Sequence, residues 1–316
     1  MSDATLRQLE YFIAAVEEGS VTAASQRLHL SQSALSMALG ELERALGVQV
    51  LVRHRRGVRP TRIGEQVLAD ARRLLADLDD LQTSARESQQ GLTGRLMVGC
   101  YSTLSPVVLP RTLDEYVERF PGVDLSFSEG SHDLLIDKLR NGSLDLALLY
   151  DYGPDVATHR GDLNFEVIFT APPYVLLADD HPLADRESVS LAQLVDEPLI
   201  LFSLSPGGDY FLSLFHTEQL EPRVRYRATS FELVRSLVAR GLGYSILSQR
   251  TRISVSYEGR GFTTRPLDGD HPGLAVSAVT LDGAKLTRPA AAFIETCRTA
   301  FEYDDPTHGQ ATPRRS

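Results

Sequence analysis

The 316-residue sequence predicts an α/β protein in which a small helical domain is joined by a long helix to a larger region of two α/β lobes. Three patterns support this. Residues 20–46 show two helical periods with a short break, and residues 61–90 carry one amphipathic stripe that no proline interrupts. Beyond residue 91, short apolar strands alternate with helical segments. The predicted boundaries are 1–60, 61–90 and 91–302, with a polar tail at 303–316 expected to be disordered.

The segment 20–46 is predicted to form two short helices with a tight joint. Small and apolar residues spaced by three and four, from Val21 to Leu28, share one face of the first helix. That helix should end near His29. Ser31 can then cap the second helix, because its hydroxyl accepts hydrogen bonds from backbone N–H groups of the first turn. The second helix buries one stripe made of Leu35, Leu39, Leu42 and Leu46.

The opposite face of the second helix favours contact with DNA. Its side chains are small and uncharged apart from one methionine, so the helix can approach another surface closely. A recognition helix contacts base edges in the major groove with its N-terminal residues. The predicted DNA-contacting residues are Ser31, Gln32, Ser33, Ser36 and Met37. For the helix pair alone, an amphipathic hairpin within an ordinary core is the alternative.

A basic turn follows this helix pair. The apolar run at 50–52, a turn containing Gly57 and the return at Val58 predict a two-stranded wing. From Arg27 to Arg62 there are seven arginines and two glutamates, a local charge of +5 in a chain of net charge −10. A basic patch in an acidic protein is typical of phosphate-backbone contact, although a solvated charge run is the alternative. The wing arginines predicted to contact DNA are Arg53, Arg55, Arg56 and Arg59.

Together these residues resemble the N-terminal winged helix of the LysR-type transcriptional regulators. The residues that carry the resemblance are Leu6, Leu9, Phe12, Val16, Gly19-Ser20, Thr22-Ala23-Ala24, Leu28, residues 31–36, Leu42-Glu43, Leu46-Gly47-Val48, Leu51, Arg53, Pro60-Thr61 and Gly64. The resemblance implies a winged helix-turn-helix domain that binds double-stranded DNA.

Residues 61–90 predict one long helix with Thr61 as its N-cap. Its apolar stripe consists of Ile63, Val67, Ala71, Leu74, Leu75, Leu78 and Leu81. A helix of this length buries such a stripe only against another surface, which predicts contact with a second copy; packing within its own chain is the alternative. The resemblance also implies a linker helix through which the chain dimerises. A homodimer, or a homotetramer of two dimers, would present paired recognition helices to half-sites roughly 34 Å apart or a multiple of that.

After a hinge at 91–94, the pattern of alternating strands and helices predicts βαβ units and a parallel sheet. The predicted strands are 95–100, 123–128, 145–150, 165–169, 174–178, 199–202, 224–227, one following the turn at 240–244, 266–267 and 274–280, and the predicted helices are 107–120, 134–140, 210–218, 231–239 and 288–301. The region resembles the effector-binding domain of the same family, itself similar to periplasmic solute-binding proteins. The resemblance implies a small-molecule effector between the lobes, beyond the carboxyl ends of strands.

Residues in the turns that follow the predicted strands, most of them polar, are the candidates for effector contact, because helix N-termini offer unpaired N–H groups to an anion. In the first lobe they are Ser102, Thr103, Ser131, His132 and Asp151, and in the second Phe202, Ser203, Thr229 and Ser230. For each hydroxyl, simple helix capping is the alternative. A lone histidine in a polar turn is more often solvated than functional.

Composition narrows the remaining possibilities. Cys100 and Cys297 make neither a disulfide framework nor a metal cluster, and no metal or cofactor is expected. A buried inert thiol is favoured over a redox role for Cys100. The absence of a signal peptide or a membrane-length apolar run predicts a soluble, cytoplasmic protein. Common enzyme motifs are missing. Two hypotheses remain: a ligand-responsive DNA-binding regulator, and a small-molecule receptor or enzyme whose helical N-terminal part has no DNA function.

Overall fold

The computed structural model describes residues 4–54, 57–86, 91–153, 160–249, 251, 253–271 and 273–301. The predicted DNA contacts of Arg55 and Arg56, and the tail predicted to be disordered, lie outside these residues. The N-terminal domain contains α1 (Leu6–Glu17), α2 (Val21–Arg27), α3 (Gln32–Leu46), β1 (Leu51–His54) and β2 (Gly57–Pro60), and α4 (Arg62–Arg86) follows it.

The predicted joint between α2 and α3 is confirmed. α2 ends in a Schellman motif, in which the N–H of His29 donates to the carbonyl of Gln26 and the N–H of Leu30 donates to that of Ser25. His29 supplies the left-handed residue of this motif, with φ of 54°. The Ser31 hydroxyl then accepts from the N–H of Ala34 at 3.1 Å, which caps α3 as predicted.

The wing is the antiparallel pair β1–β2, and two features attach it to the helices. A carboxylate oxygen of Glu43, on α3, accepts from the N–H groups of Val50 and Leu51 at 3.0 and 3.1 Å. At Gly57 the backbone φ is +132°, and a Cβ there would lie 2.0 Å from the carbonyl oxygen of Gly19. Only glycine allows this close approach between the wing and the turn before α2.

The linker helix α4 begins where the sequence predicts, with the Thr61 hydroxyl accepting from the N–H of Gly64 at 2.8 Å. Within its predicted apolar stripe, Ala71 is buried in the core of the N-terminal domain together with the neighbouring Leu68, so this part of the helix packs within its own chain. Ile63, Leu74 and Leu81 are 48%, 52% and 69% exposed. The two most exposed leucines of the stripe therefore lie beyond Ala71, and contact with a second copy stays a prediction.

The first lobe is built on a five-stranded sheet of order β4-β3-β5-β12-β6. Its elements are β3 (Thr93–Tyr101), α5 (Ser105–Arg119), β4 (Gly122–Gly130), α6 (His132–Arg140), β5 (Leu146–Asp151), β6 (Leu163–Ala171), β12 (Leu274–Leu281) and α10 (Arg288–Phe301). Strand β3 is parallel to β4 and β5, but β12 is antiparallel to β5 and β6. The prediction of a parallel sheet therefore holds for β3, β4 and β5 but is wrong for β12, which is antiparallel to both of its neighbours. β6 leaves this lobe and β12 returns to it from the other, so the two run in opposite directions.

The second lobe lies between β6 and β12 in the sequence. It contains β7 (Tyr174–Ala178), α7 (Leu191–Leu194), β8 (Leu199–Phe202), α8 (Gly207–Thr217), β9 (Val224–Ala228), α9 (Phe231–Ala239), β10 (Ser245–Leu247) and β11 (Phe262–Pro266). Strand β7 is flanked by β10 and β11, both antiparallel to it, and β8 pairs with β9 in parallel. One buried apolar cluster extends through both lobes, which brings the ends of β5 and β8 to a common cleft.

Candidate DNA-binding face and effector cleft

The recognition-helix candidate α3 has two distinct faces. Leu35, Leu39 and Leu42 are buried in the N-terminal domain, as their spacing predicts. The fourth leucine of the predicted stripe, Leu46, ends the helix and is 37% exposed, so its predicted burial is wrong. The opposite face carries the predicted DNA contacts, of which Met37 is 63% exposed. At Gly40, apart from the backbone of its own helix and its chain neighbours, no atom lies within 4 Å of where a Cβ would be. The face is therefore open, and its side chains are small enough for a close approach to a duplex.

The wing adds positive charge beside this face. Arg53 on β1 donates from Nη2 to the hydroxyl of Ser36 on α3 at 2.7 Å, which holds the arginine against the helix. Arg59 on β2 is exposed. On α3 itself, Arg44 lies 3.8 Å from Glu41, so part of its charge is balanced. The geometry places a neutral helix face next to cations, which suits base contact flanked by phosphate contact.

The Ser31 and Ser33 hydroxyls lie 3.1 Å apart at the first turn of α3. Both side chains and that of Gln32 are exposed. The Ser31 hydroxyl already caps the helix, so a contact with DNA would be a second role for it. The amide of Gln32 is exposed and can point away from the domain.

The cleft between the lobes contains a small cavity, and five of its ten lining residues are aromatic. The space open to the centres of water molecules is about 20 Å³, room for one or two waters. The first lobe supplies Thr103, Tyr150, Tyr152 and Leu274, and the second supplies Phe202, Phe211, Phe231, Leu247, Ser248 and Gln249. Among the described residues that line this cavity, none carries a charge.

A chain of four tyrosines, two of which line this cavity, crosses the cleft. The ring centroids of Tyr101 and Tyr150 are 5.9 Å apart, those of Tyr150 and Tyr152 are 5.8 Å apart, and Tyr152 lies 5.9 Å from Tyr210 of the second lobe. The Tyr101 hydroxyl donates to the carbonyl of Leu204, also in the second lobe, at 3.3 Å. The two lobes are thus connected directly through aromatic side chains.

These tyrosines remain neutral at physiological pH. Burial raises the pKa of Tyr150 well above its ordinary value, although a hydrogen bond with Thr103 opposes the shift. Burial also raises the pKa of Tyr210 to about 12, against a lowering contribution from its hydrogen bond with Ser248. The cleft therefore offers neutral hydroxyl groups and aromatic rings to a ligand.

Of the predicted effector residues, Thr103 and Phe202 line the cavity. The Ser102 hydroxyl instead donates to the carbonyl of Gly130 at 3.1 Å, and α5 begins only at Ser105. Ser131 caps α6 and Ser230 caps α9, which is the helix-capping alternative given for these hydroxyls. The Asp151 carboxylate accepts from the N–H of Gly153. Ser203 and Thr229 are not among the residues lining the cavity.

His132 differs from the expectation of a solvated side chain. It is only 2% exposed, and its ring centroid lies 6.1 Å from that of Tyr152, edge to face. The expectation is wrong because the first residue of α6 turns under the end of β5 rather than into water.

Sequence reasoning missed several cavity residues. Tyr150 belongs to a fully buried strand, where an apolar pattern reads as core, and Ser248 and Gln249 follow β10 without any motif. The paired aromatics Tyr150 and Tyr152, directly at the end of a strand, are the one local signal that could have indicated an aromatic cleft.

Comparison with known proteins identifies the chain. Residues 6–65 match the family described as bacterial regulatory helix-turn-helix protein, lysR family, and residues 89–302 match the LysR substrate binding domain. The chain belongs to the LysR family. It is 34% identical to the uncharacterized HTH-type transcriptional regulator YnfL of Escherichia coli over 248 residues, which cover 77% of this chain and 81% of that protein.

Two solved LysR structures agree with the fold. The LysR-family regulator HinK from Pseudomonas aeruginosa is 31% identical and superposes with a TM-score of 0.63, covering 94% of this chain and 98% of HinK. A full-length OxyR variant from the same organism is 26% identical with a TM-score of 0.73, covering 93% of this chain and 98% of its own.

Membership decides between the two hypotheses. The chain is a LysR-type transcriptional regulator that binds DNA, responds to a small-molecule effector and assembles into oligomers, and it is not an enzyme. Within the described residues, no helix has both the length and the apolar character to cross a membrane. Cys100 and Cys297 are both free and buried, and burial raises the pKa of each thiol to about 12.

Proposed function

We propose that this LysR regulator reads base edges with the N-terminal half of α3 and grips the flanking phosphates with its wing. The supporting observation is the open neutral face of α3 beside Arg53, which the Ser36 hydroxyl holds in place. The base-contacting residues are Ser31, Gln32, Ser33, Ser36 and Met37, and the phosphate-contacting residues are Arg53, Arg55, Arg56 and Arg59. Such a protein acts where the bacterial chromosome is, in the cytoplasm.

The division into residues 1–60, 61–90 and 91–302 remains part of this proposal, with α4 as the dimerisation helix. Leu74 and Leu81 support it, because both are large, apolar and exposed on one helix. In a dimer these side chains would pack against the same residues of the partner subunit across a two-fold axis. The two α3 helices would then be placed to bind one operator together.

The proposed DNA contacts can be tested with an operator that the purified protein selects from random DNA. Fluorescence anisotropy over a salt series gives the slope of log affinity against log salt. Arg59→Ala should make the slope shallower by about 0.9 and weaken binding to all sequences alike. Gln32→Ala should instead reduce discrimination between operator and unrelated duplex. The control is Arg223→Ala, an exposed arginine of the second lobe, which should change neither quantity.

We further propose that the effector is a small neutral compound with an aromatic or other planar apolar body and one or two hydrogen-bonding groups. Rings line the cleft, and Thr103, Ser248 and Gln249 supply neutral polar groups. A carboxylate placed there would lose hydration without gaining a cation among the described lining residues. The cavity has room for only one or two waters, so a larger effector can bind only if side chains or lobes move apart. The effector then binds the open arrangement more tightly than the closed one, and regulation depends on that difference in affinity.

Thermal-shift measurements with matched ligand pairs test this effector class. Each pair consists of a neutral aromatic amide or alcohol and the corresponding carboxylate, offered to the full-length protein. Stabilisation by a neutral member and not by its acid is expected, because a ligand selective for the folded form raises the melting temperature. Stabilisation by the acids alone would contradict the proposed class. Phe211→Ala should abolish the shift, whereas Tyr257→Ala, a fully solvated tyrosine of the second lobe, should keep it.

A further inference from the structure

Arg72 on α4 contacts three parts of the chain at once. Its Nη2 donates to Oε1 of Glu17, on α1 of the DNA-binding domain, at 3.0 Å. Its Nη1 donates to the carbonyl oxygen of Asn141 at 2.8 Å and to the hydroxyl of Ser143 at 2.8 Å, both in the turn after α6 of the first lobe. The side chain is only 15% exposed. One guanidinium therefore joins the DNA-binding domain, the linker helix and the effector domain.

The connection continues into the helix-turn-helix. Oε2 of Glu17 accepts from Nη1 of Arg27 at 2.9 Å, and Arg27 is the last residue of α2. Burial would raise the pKa of the Glu17 carboxyl, but hydrogen bonds from Arg27 and Arg72 outweigh it and hold the pKa below its usual range. An ionised Glu17 thus receives both arginines, which makes these hydrogen bonds charge-assisted.

On the effector side, the same network reaches the cleft through one rigid element. Helix α6 has nine residues and is roughly 13 Å long. Its first residue, His132, packs against Tyr152 in the cleft wall, and its last turn leads into Asn141. The turn itself is well ordered by its own bonds, since the N–H of Ser143 donates to Oδ1 of Asn141 at 3.0 Å. A displacement of α6 at the cleft would therefore move the groups that Arg72 binds.

The packing around Arg72 leaves little room for an independent movement. Gly142, between the two partner residues, has φ of +67°, and a Cβ there would lie 3.1 Å from Cβ of Arg72. The backbone of the turn thus lies directly on α4. A guanidinium can serve acceptors in two directions at fixed angles, which the single ammonium of lysine cannot do.

We propose that Arg72 is the positioning residue that couples the first lobe to the DNA-binding domain: through Asn141 and Ser143 it senses α6, and through Glu17 and Arg27 it sets the orientation of the helix-turn-helix. Arg72 contacts neither DNA nor effector in this scheme. Its role is to fix the angle at which the two α3 helices of a dimer are presented, and hence the half-site spacing that the dimer accepts.

Arg73 provides a matched control. It is the next residue on α4 and also an arginine, but its ion pair is with Asp70 on its own helix, and the side chain is half exposed. Arg73→Ala removes the same charge from the same helix without touching the contacts to Glu17, Asn141 or Ser143.

The test uses full-length protein and two duplexes: the operator selected by the wild type, and the same operator with about five base pairs inserted between its half-sites. Half a helical turn places the second half-site on the opposite face, so a rigid dimer should prefer the native spacing by at least about 10-fold. Arg72→Ala should lower this ratio by about 3-fold or more and leave affinity for an isolated half-site unchanged. Arg72→Lys should behave like alanine, and Arg73→Ala like wild type.

A double-mutant cycle separates coupling from simple loss of stability. Asn141→Ala combined with Ser143→Ala changes only the effector domain and removes two side-chain acceptors of Arg72, Oδ1 of Asn141 at 3.3 Å and the Ser143 hydroxyl, but it keeps the carbonyl oxygen of Asn141. It should therefore reduce the spacing ratio in the same direction as Arg72→Ala but by less, and the triple variant should show no reduction beyond that of Arg72→Ala. An Arg72→Ala ratio equal to that of Arg73→Ala, or multiplicative effects in the triple variant, would overturn the proposal. Failure of the wild type to bind any duplex would contradict the proposed DNA-binding face and not the role of Arg72, so the two proposals fail in different ways.

Discussion

Replacing Glu43 tests how the wing is held against the recognition helix. One of its carboxylate oxygens accepts from two backbone N–H groups, those of Val50 and Leu51, at 3.0 and 3.1 Å. Hydrogen bonds to a charged group contribute about 1.5–3 kcal/mol each, but the side chain is only partly buried and water can replace part of this. Glu43→Ala should therefore destabilise the attachment of the wing by about 2 kcal/mol. Glu43→Gln, which keeps one acceptor oxygen, should lose about half as much.

Amide hydrogen exchange is the suitable assay, because unfolding of a multidomain chain does not report one domain alone. A loss of 2 kcal/mol corresponds to roughly 30-fold faster exchange of the wing amides, since each 1.4 kcal/mol is a factor of ten. Glu41→Ala is the control, because Glu41 lies on the same helix but its described contacts, Arg44 at 3.8 Å and Nε2 of Gln8 at 3.4 Å, do not involve the wing. Equal exchange in the Glu43 and Glu41 variants would refute the reasoning.

Three further predictions rest on single observations. Gly57→Ala should lower the melting temperature of the N-terminal domain, measured on the full chain by calorimetry, because its Cβ would lie 2.0 Å from the carbonyl oxygen of Gly19; an unchanged endotherm would contradict the packing. Glu17 has a lowered pKa from a usual value of 4.5, so its stabilising contribution should be complete at neutral pH and be lost as acid titration passes below about 4.5; Glu17→Gln should remove that part of the acid transition in a pH series of melts. Cys100 and Cys297 should resist alkylation in the native protein at pH 8, as mass spectrometry can show, because burial raises the pKa of both thiols to about 12; rapid labelling would contradict their burial.

Local features of the fold could be predicted from the sequence because they depend on neighbours along the chain. The bounds of α9 and α10 are the predicted ones, and Ser31 caps α3 as its position indicates. Helical periodicity and capping are properties of four to fifteen consecutive residues, which a sequence displays directly. The direction of β12 is different, since it depends on a return from the second lobe that no local pattern records.

The cleft and the coupling network were harder to predict for the same reason. The cavity wall combines residues from at least five separate segments, and Tyr150 alone looks like ordinary core. Arg72 sits on the charged face of a linker helix, where a solvated side chain is the natural expectation. Its partners Glu17 and Asn141 are 55 and 69 residues away in the sequence. Only the folded chain brings them together.

The central claim, that the exposed face of α3 enters the major groove in pairs, is tested most directly by DNA cleavage from a tethered iron chelate. Met37→Cys places one reactive thiol on that face, while the native cysteines are buried and slow to react. The labelled protein should cut the selected operator at two symmetric clusters separated by roughly 34 Å, one helical turn, or a multiple of it. The same label at Tyr257→Cys, in the second lobe, should cut neither cluster. Cleavage that is absent with the label on α3, or scattered without two-fold symmetry, would contradict the claim.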